Sequence, residues 1–382
     1  MNFKKDLPLT SSHWGTYRAK VKDGKIKELI GWENDKDPSP IGQGIIDVHN
    51  HQTRIDSPMI RKSWMDKGPG SNNSLRGTDP FISISWDEAE KIVSNELNRV
   101  KNDFGNASIF GGSYGWASAG RFHHAQSQLH RFLNCIGGYT RSKFTYSFAA
   151  AEAMVPHILG SYRAFLDTCT SWESIEENTE LFICFGGVPL KNGQIAQSGT
   201  GSHKQKEKLI RSANAGIKFV NFSPLKSDLL DEVNGEWLAL RPNTDVAIML
   251  GLAYTLYKEK LYDDKFIEKY TEGFDTFLPY LQGDIDGIVK DANWASSISE
   301  IPSEKIILLA KEMSSKRTMI SVSWSLTRQD HGEQPFWAAI MLASMVGQIG
   351  LPGGGFGFGY SATNHIGGQF SIIPGAAFPQ TQ

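Results

Sequence analysis

The chain is poor in cysteine. Only three occur in 382 residues, Cys135, Cys169 and Cys184, and no two form a CxxC pair. A cubane iron–sulfur cluster takes four thiolate ligands, so this chain alone supplies too few to hold one. Each cysteine reads more simply as a small buried apolar side chain. Long apolar runs are also missing. The longest, residues 336–351, is broken by Gly347, Gln348 and Gly350 and is too short to span a bilayer. The first residues, MNFKKDLPLTSSHWG, hold two lysines but no apolar stretch behind them and no twin arginine. They do not read as an export signal, and the expectation is a cytoplasmic protein unless the true start lies upstream. Excess charge is absent too. The formal net charge is −2 and the basic residues are scattered, which argues against a nucleic-acid partner. Neither GxGxxG nor a Walker sequence occurs, so NAD and ATP readings are weak.

What is present is ordinary for a globular protein: 40% apolar and 21% charged residues, in a length that allows two or more domain-sized units. Residues 1–60 read as a small β-rich portion. The stretch from His13 to Val21 alternates, Lys22-Asp23-Gly24 is a hairpin signal, and Lys25–Trp32 supplies the return strand. His49 and His51 share a strand face, but no third ligand is near, so a metal reading of the pair is weak. A loop-rich passage leads to Ser85, a candidate N-cap. Behind it Ala89, Ile92, Val93, Leu97 and Val100 recur at helical spacing.

The stretch from Ser108 to Gly160 carries the most information. A short strand, Ser108–Phe110, meets the glycine loop Gly111-Gly112-Ser113-Tyr114-Gly115-Trp116. Glycines after a strand let the backbone approach a ligand, and the two large rings on the loop each carry one polar donor. A helix is expected from about Ala119 to Cys135, and a second over Phe148–Leu159. The adjacent His123 and His124 project about 100° apart on a helix and make a poor chelate, so packing or surface roles suit them better. Ser147, just before the second helix, suits an N-cap on position alone.

Further on, several strands run into polar turns. Leu181–Phe185 ends in Gly186-Gly187-Val188-Pro189-Leu190-Lys191-Asn192. Ile217–Phe222 ends in Ser223-Pro224-Leu225-Lys226-Ser227-Asp228. Thr318–Trp324 ends in Ser325-Leu326-Thr327-Arg328-Gln329-Asp330-His331-Gly332-Glu333-Gln334. Strand ends of this kind are where open α/β sheets bind nucleotides, and helix N-termini there attract phosphate. Asp245 opens the expected helix Val246–Leu256, where a carboxylate is favoured by the helix dipole.

The combination SYGW-x-S-x-G-R-x-H, TYS, MVPHILGS and WS-x-x-R-x-x-HGEQ resembles the molybdopterin oxidoreductases of the dimethyl sulfoxide reductase type. The similarity is greatest to the branch reducing biotin sulfoxide, dimethyl sulfoxide and trimethylamine N-oxide. The resemblance implies a multi-domain α/β fold: a β-rich portion over 1–60, an α/β region with the metal-ligand loop over 61–170, and a doubly wound dinucleotide-binding domain over 171–350. It implies molybdenum bis(molybdopterin guanine dinucleotide) as cofactor, without an iron–sulfur cluster. Ser147 is then the molybdenum ligand, and Tyr114 and Trp116 face the metal's oxo group. A charged metal centre lowers the pKa of an oxygen ligand, which lets a serine bind as alkoxide. Lys191, with Asn192 beside it, meets the pterin; a solvated lysine is the other reading of Lys191. Ser223 and Lys226 hold the dinucleotide tail, Asp245 accepts from the guanine edge, Arg328 faces substrate, and His331 lies beside the cofactor path. The implied reaction takes oxygen from an S-oxide or N-oxide onto reduced molybdenum, with electrons from an external flavoprotein or cytochrome. Tyr114 favours S-oxides.

Two features depart from the family pattern. Small residues often follow the ligand serine, and here Phe148 stands there, where a bulky side chain is expected to narrow the substrate pocket or disturb the loop. Relatives also continue into a C-terminal β-barrel, while this sequence passes from Leu351 into a Gly/Pro-rich tail, 351–382, read without strand or helix. The competing expectation is therefore an inactive fragment, or half of a split enzyme with a complementing C-terminal chain. Nitrate or formate chemistry is disfavoured, because those enzymes present Asp, Cys or selenocysteine to the metal and most need an iron–sulfur cluster.

Overall fold

A computed structural model of the chain describes residues 6–49, 51–71, 73–113, 124–162, 169–196, 199 and 201–368. The expected hairpin is the core of a three-stranded antiparallel sheet, β1 (Leu9–Ser12), β2 (Gly15–Lys22) and β3 (Lys25–Gly31), in that order. Tyr17, Ala19 and Leu29 form its small core. This unit is tied to the rest of the chain by a buried pair: His203 donates its backbone N–H to Asp35 Oδ1 at 2.9 Å, and its Nδ1 lies 2.7 Å from Oδ2. Burial alone raises the Asp35 pKa, but the hydrogen bonds from His203 and from the Asp37 backbone outweigh it and bring the net value below the usual one. A carboxylate with a depressed pKa stabilises above its ordinary range and loses that contribution as pH falls through the lowered value. Asp35→Asn should weaken this attachment by about 2 kcal/mol, seen as earlier proteolysis within residues 9–31 at neutral pH. A variant as resistant as the parent would show that the pair contributes nothing.

Residues 59–148 carry two small sheets. β4 (Met59–Arg61) pairs antiparallel with β5 (Phe81–Ser83), and β6 (Phe110–Gly111) pairs parallel with β7 (Thr140–Arg141). The expected strand 108–110 thus begins two residues later, because 106–108 form a 3-10 turn. Ser85 does cap the Trp86–Phe104 helix, accepting from Glu88 N at 3.2 Å. That helix buries none of its residues, and Trp86 is 69% exposed.

The main sheet has five parallel strands in the order β10-β9-β8-β11-β12: β8 (Leu181–Phe185), β9 (Lys218–Phe222), β10 (Glu236–Leu238), β11 (Thr318–Val322) and β12 (Gly355–Phe358). A central parallel strand is covered on both faces, and every residue of β8 is buried accordingly. One face (Leu181, Ile183, Phe185, Ile320, Val322) packs with helices Ala149–Leu159, Asp245–Lys258, Ser303–Ser315 and Gln334–Met345. The other (Phe182, Cys184, Phe219, Met319) packs with helices Trp172–Asn178 and Gln205–Asn214. The sheet is therefore doubly wound, as expected. β12 corrects the reading of the tail as strandless. One of its two glycines leaves room for a ring: a Cβ on Gly357 would meet Tyr360 at 2.2 Å. Among the described residues no helix is long and apolar enough to cross a membrane.

Candidate functional site

The order of the main sheet fixes one crevice. From β8 the chain builds outward through β9 and β10, then returns to the other side of β8 as β11 and β12. Ligands of open α/β sheets sit outside the carboxyl ends of the strands where that direction reverses. Here the reversal lies between β8, which delivers Gly186-Gly187, and β11, which delivers Ser323-Trp324. Gly187 has φ +76°, and a Cβ there would stand 2.5 Å from the Asp228 Cβ and carbonyl oxygen. A side chain is thus excluded by both backbone conformation and space.

On the β9 side, the Ser223 hydroxyl donates to Asp228 Oδ2 at 2.7 Å, and Lys191 Nζ lies 3.4 Å from Asp228 Oδ1. The Trp237 indole donates to the Ser223 carbonyl at 2.8 Å. Lys191 remains 63% exposed in its side chain, so its ammonium is paired but within reach of a ligand. Asp228, which joins Ser223 to Lys191, escaped the sequence reading. The available signal was an acid closing the polar turn after a strand, but only the fold brings the Gly187 loop against it.

On the β11 side the Ser147 loop is held down. Arg328 Nη1 donates to the Ser147 carbonyl at 2.9 Å, and Thr327 Oγ1 is 3.2 Å from the same oxygen. Ser147 does not cap the helix behind it: the cap position is Phe148, which makes no side-chain cap bond. Phe148 itself corrects the expectation of a narrowed pocket or disturbed loop. Its ring turns inward onto Trp324 at 4.2 Å, with Tyr162 at 5.5 Å and Phe358 at 6.1 Å, and so anchors the loop to the core.

Asp245 begins the Asp245–Lys258 helix and is 2% exposed. Desolvation pushes its pKa up to about 6, against hydrogen bonds from its own backbone N–H and from Gln329. Its Oδ1 has no hydrogen-bond partner among the described residues, and neither does the buried indole nitrogen of Trp324. An unmet acceptor and an unmet donor, both next to the 324–329 turn, suit a bound group rich in complementary donors and acceptors.

Other expected residues stand apart. Lys226 is exposed, and its ammonium has no partner among the described residues. His331 is 78% exposed in its side chain, between Asp330 and Glu333. Asn192 is exposed. Tyr114 and Trp116, with His123, lie outside the described residues. His124 accepts from Ser127 N and caps the Ala125–Cys135 helix. Among the described residues no group of His, Cys, Asp and Glu could hold a metal by itself. Only Cys184 behaves as the buried cysteine expected, with its thiol pKa driven far up by desolvation; Cys135 is exposed. A separate cavity of about 500 Å³, lined by Leu159, Ser171, Ile340 and Phe356 among others, shares none of these site residues.

Two family models match the chain: one described as molybdopterin oxidoreductase over residues 54–379, the other as molybdopterin oxidoreductase N-terminal domain over residues 10–48. A dimethyl sulfoxide/trimethylamine N-oxide reductase of Rhodobacter capsulatus is 41% identical over 92% of this chain and 42% of its own length. A biotin sulfoxide reductase of Cereibacter sphaeroides is 42% identical over 91% of this chain and 47% of its own length. The chain thus spans less than half the length of these curated relatives. Among solved structures, the acetylene hydratase from Pelobacter acetylenicus has a TM-score of 0.58 at 20% identity, covering 87% of this chain and 42% of its own, which is a likeness of fold.

Proposed function

The chain belongs to the molybdopterin oxidoreductase family, and from that premise we propose that it serves the reduction of an S-oxide or N-oxide at a molybdenum bis(molybdopterin guanine dinucleotide) site. The observation that carries the reading is the contact between Arg328 and Ser147, which brings the serine loop onto the sheet's reversal point. When bound, the group would supply the two electrons that reduce the S-oxide or N-oxide while taking up its oxygen atom, and an external donor would return two electrons, with two protons, as water is released. The protein's part is to hold, aim and seal. Ser147 offers a hard oxygen ligand, which suits an oxidised early metal. Asp245 offers Oδ1 to the guanine edge. Ser223, Lys191 and Asp228 form a polar rim for the dinucleotide. Tyr114 and Trp116 are the donors assigned to the reacting oxygen, and Arg328 presents its remaining N–H groups to substrate.

We also assign a role to polypeptide beyond these residues, in the same or a second chain. The Trp86–Phe104 helix buries none of its residues and leaves Trp86, Val93 and Phe104 exposed, and the Rhodobacter capsulatus relative is matched over only 42% of its own length. The test is metal analysis of the protein purified from a host that makes the cofactor, together with sulfoxide-dependent oxidation of a reduced dye. Near-stoichiometric molybdenum and pterin with turnover is the expected result. Molybdenum at background, with the protein folded and its natural partners present, would overturn the reading.

A further inference from the structure

We propose that the Trp324–Arg328 turn is a clamp that, together with Thr145, fixes the backbone on both sides of Ser147, and that Thr327 is a positioning residue for the Ser147 hydroxyl. The direction of a serine Cα–Cβ bond is set by the two peptide planes that flank it. The plane before Ser147 is tied by its N–H, which donates to Thr145 Oγ1 at 3.3 Å. The plane after it is tied by its carbonyl, which faces Arg328 Nη1 and Thr327 Oγ1. The next residue adds a third anchor, since the Phe148 ring packs on Trp324 of the same turn. That turn follows directly on the buried strand β11, so the loop is referenced to the centre of the main sheet.

The two donors are not equivalent. Thr327 has one hydroxyl proton and two carbonyls in reach, Trp324 O at 2.8 Å and Ser147 O at 3.2 Å. Arg328 is a permanent donor. Thr327 is an adjustable one, able to follow the Ser147 carbonyl if the loop shifts when the site loads. This inference rests on the reading of Ser147 as the metal ligand, and the experiment separates the two.

Hydrogen–deuterium exchange is followed for the peptide spanning residues 143–150, which reports on the clamp with or without metal. Thr327→Val and Arg328→Met are each expected to speed exchange there about five-fold, the effect of one lost hydrogen bond. Thr327→Ser should match the parent, and melting curves identify any variant that has failed to fold. In the loaded enzyme, Thr327→Val should broaden the Mo(V) resonance into a mixture of geometries, and Thr327→Ser should restore a single one. Parent-like exchange in a folded Thr327→Val protein would overturn the clamp. Ser147→Ala keeps the carbonyl, so its exchange should stay parent-like. If that variant keeps its molybdenum, the ligand assignment fails while the exchange result still judges the clamp.

Discussion

Ser147→Ala is expected to strip molybdenum from the purified enzyme and to lower sulfoxide reduction by about a thousandfold or more, the effect of losing several kcal/mol of stabilisation at the reacting centre. The substitution deletes a single oxygen. The residue stands one position before the cap of the Ala149–Leu159 helix, and that helix uses no side-chain cap, so helix stability should be untouched. The loop is anchored through the Ser147 carbonyl and the Phe148 ring, both kept in the variant. A melting curve close to the parent's, with metal gone, therefore separates loss of a ligand from loss of fold. Full metal content in Ser147→Ala would remove this residue from the metal's coordination.

Asp245→Asn should act in opposite directions on the empty and the loaded protein. With no ligand, the buried carboxylate is costly: its pKa rises from the usual 3.8 to about 6. The folded state then binds the proton more tightly than the unfolded one, so stability falls as pH rises between those values and stays low above them. Two units correspond to about 3 kcal/mol. The asparagine should recover much of that at pH 7.5 and nothing at pH 4, read as a higher melting temperature only at the upper pH. In the loaded protein a charged acceptor for the guanine edge is lost, and hydrogen bonds to charged groups contribute about 1.5–3 kcal/mol each. Nucleotide retention should therefore drop by about a hundredfold, measured as guanine nucleotide released on gel filtration. Equal retention in parent and variant would show that Asp245 does not meet the guanine.

The parts of the molecule that were legible in the sequence share a physical reason. β8 is an unbroken apolar run, and β9 and β11 are mostly apolar with Asn221 and Ser321 inside them, because both faces of a central parallel strand are covered, and such runs announce themselves. Their polar turns pointed to Lys191, Ser223 and Arg328 at one edge. β12 was illegible because half of its residues are glycine: the Tyr360 ring occupies the space a Gly357 side chain would take, and just past the strand a Cβ on Gly359 would lie 1.9 Å from the Trp324 indole nitrogen. Phe148 was misjudged for a related reason: size is visible in a sequence, and the direction of a ring is not. Asp228 and Thr327 were missed because their partners, the Gly187 loop and the Ser147 carbonyl, are distant in the chain. Lys226 and His331 follow a motif faithfully but stand in solvent, since a motif gives spacing and no orientation.

The strand order also has a consequence in time. The centre of the sheet is made first and one of its neighbours last: the Arg317 N–H that joins the start of β11 to Glu180 donates across 137 residues of sequence. A ribosome adding about 5–20 residues per second needs on the order of ten seconds to cover that distance. Through that interval one edge of β8, apolar along its whole length, has no strand to pair with. An open apolar edge is a template for pairing with other chains. The nascent chain is therefore most exposed to wrong pairing in that interval, before the turn after β11 exists to complete the site.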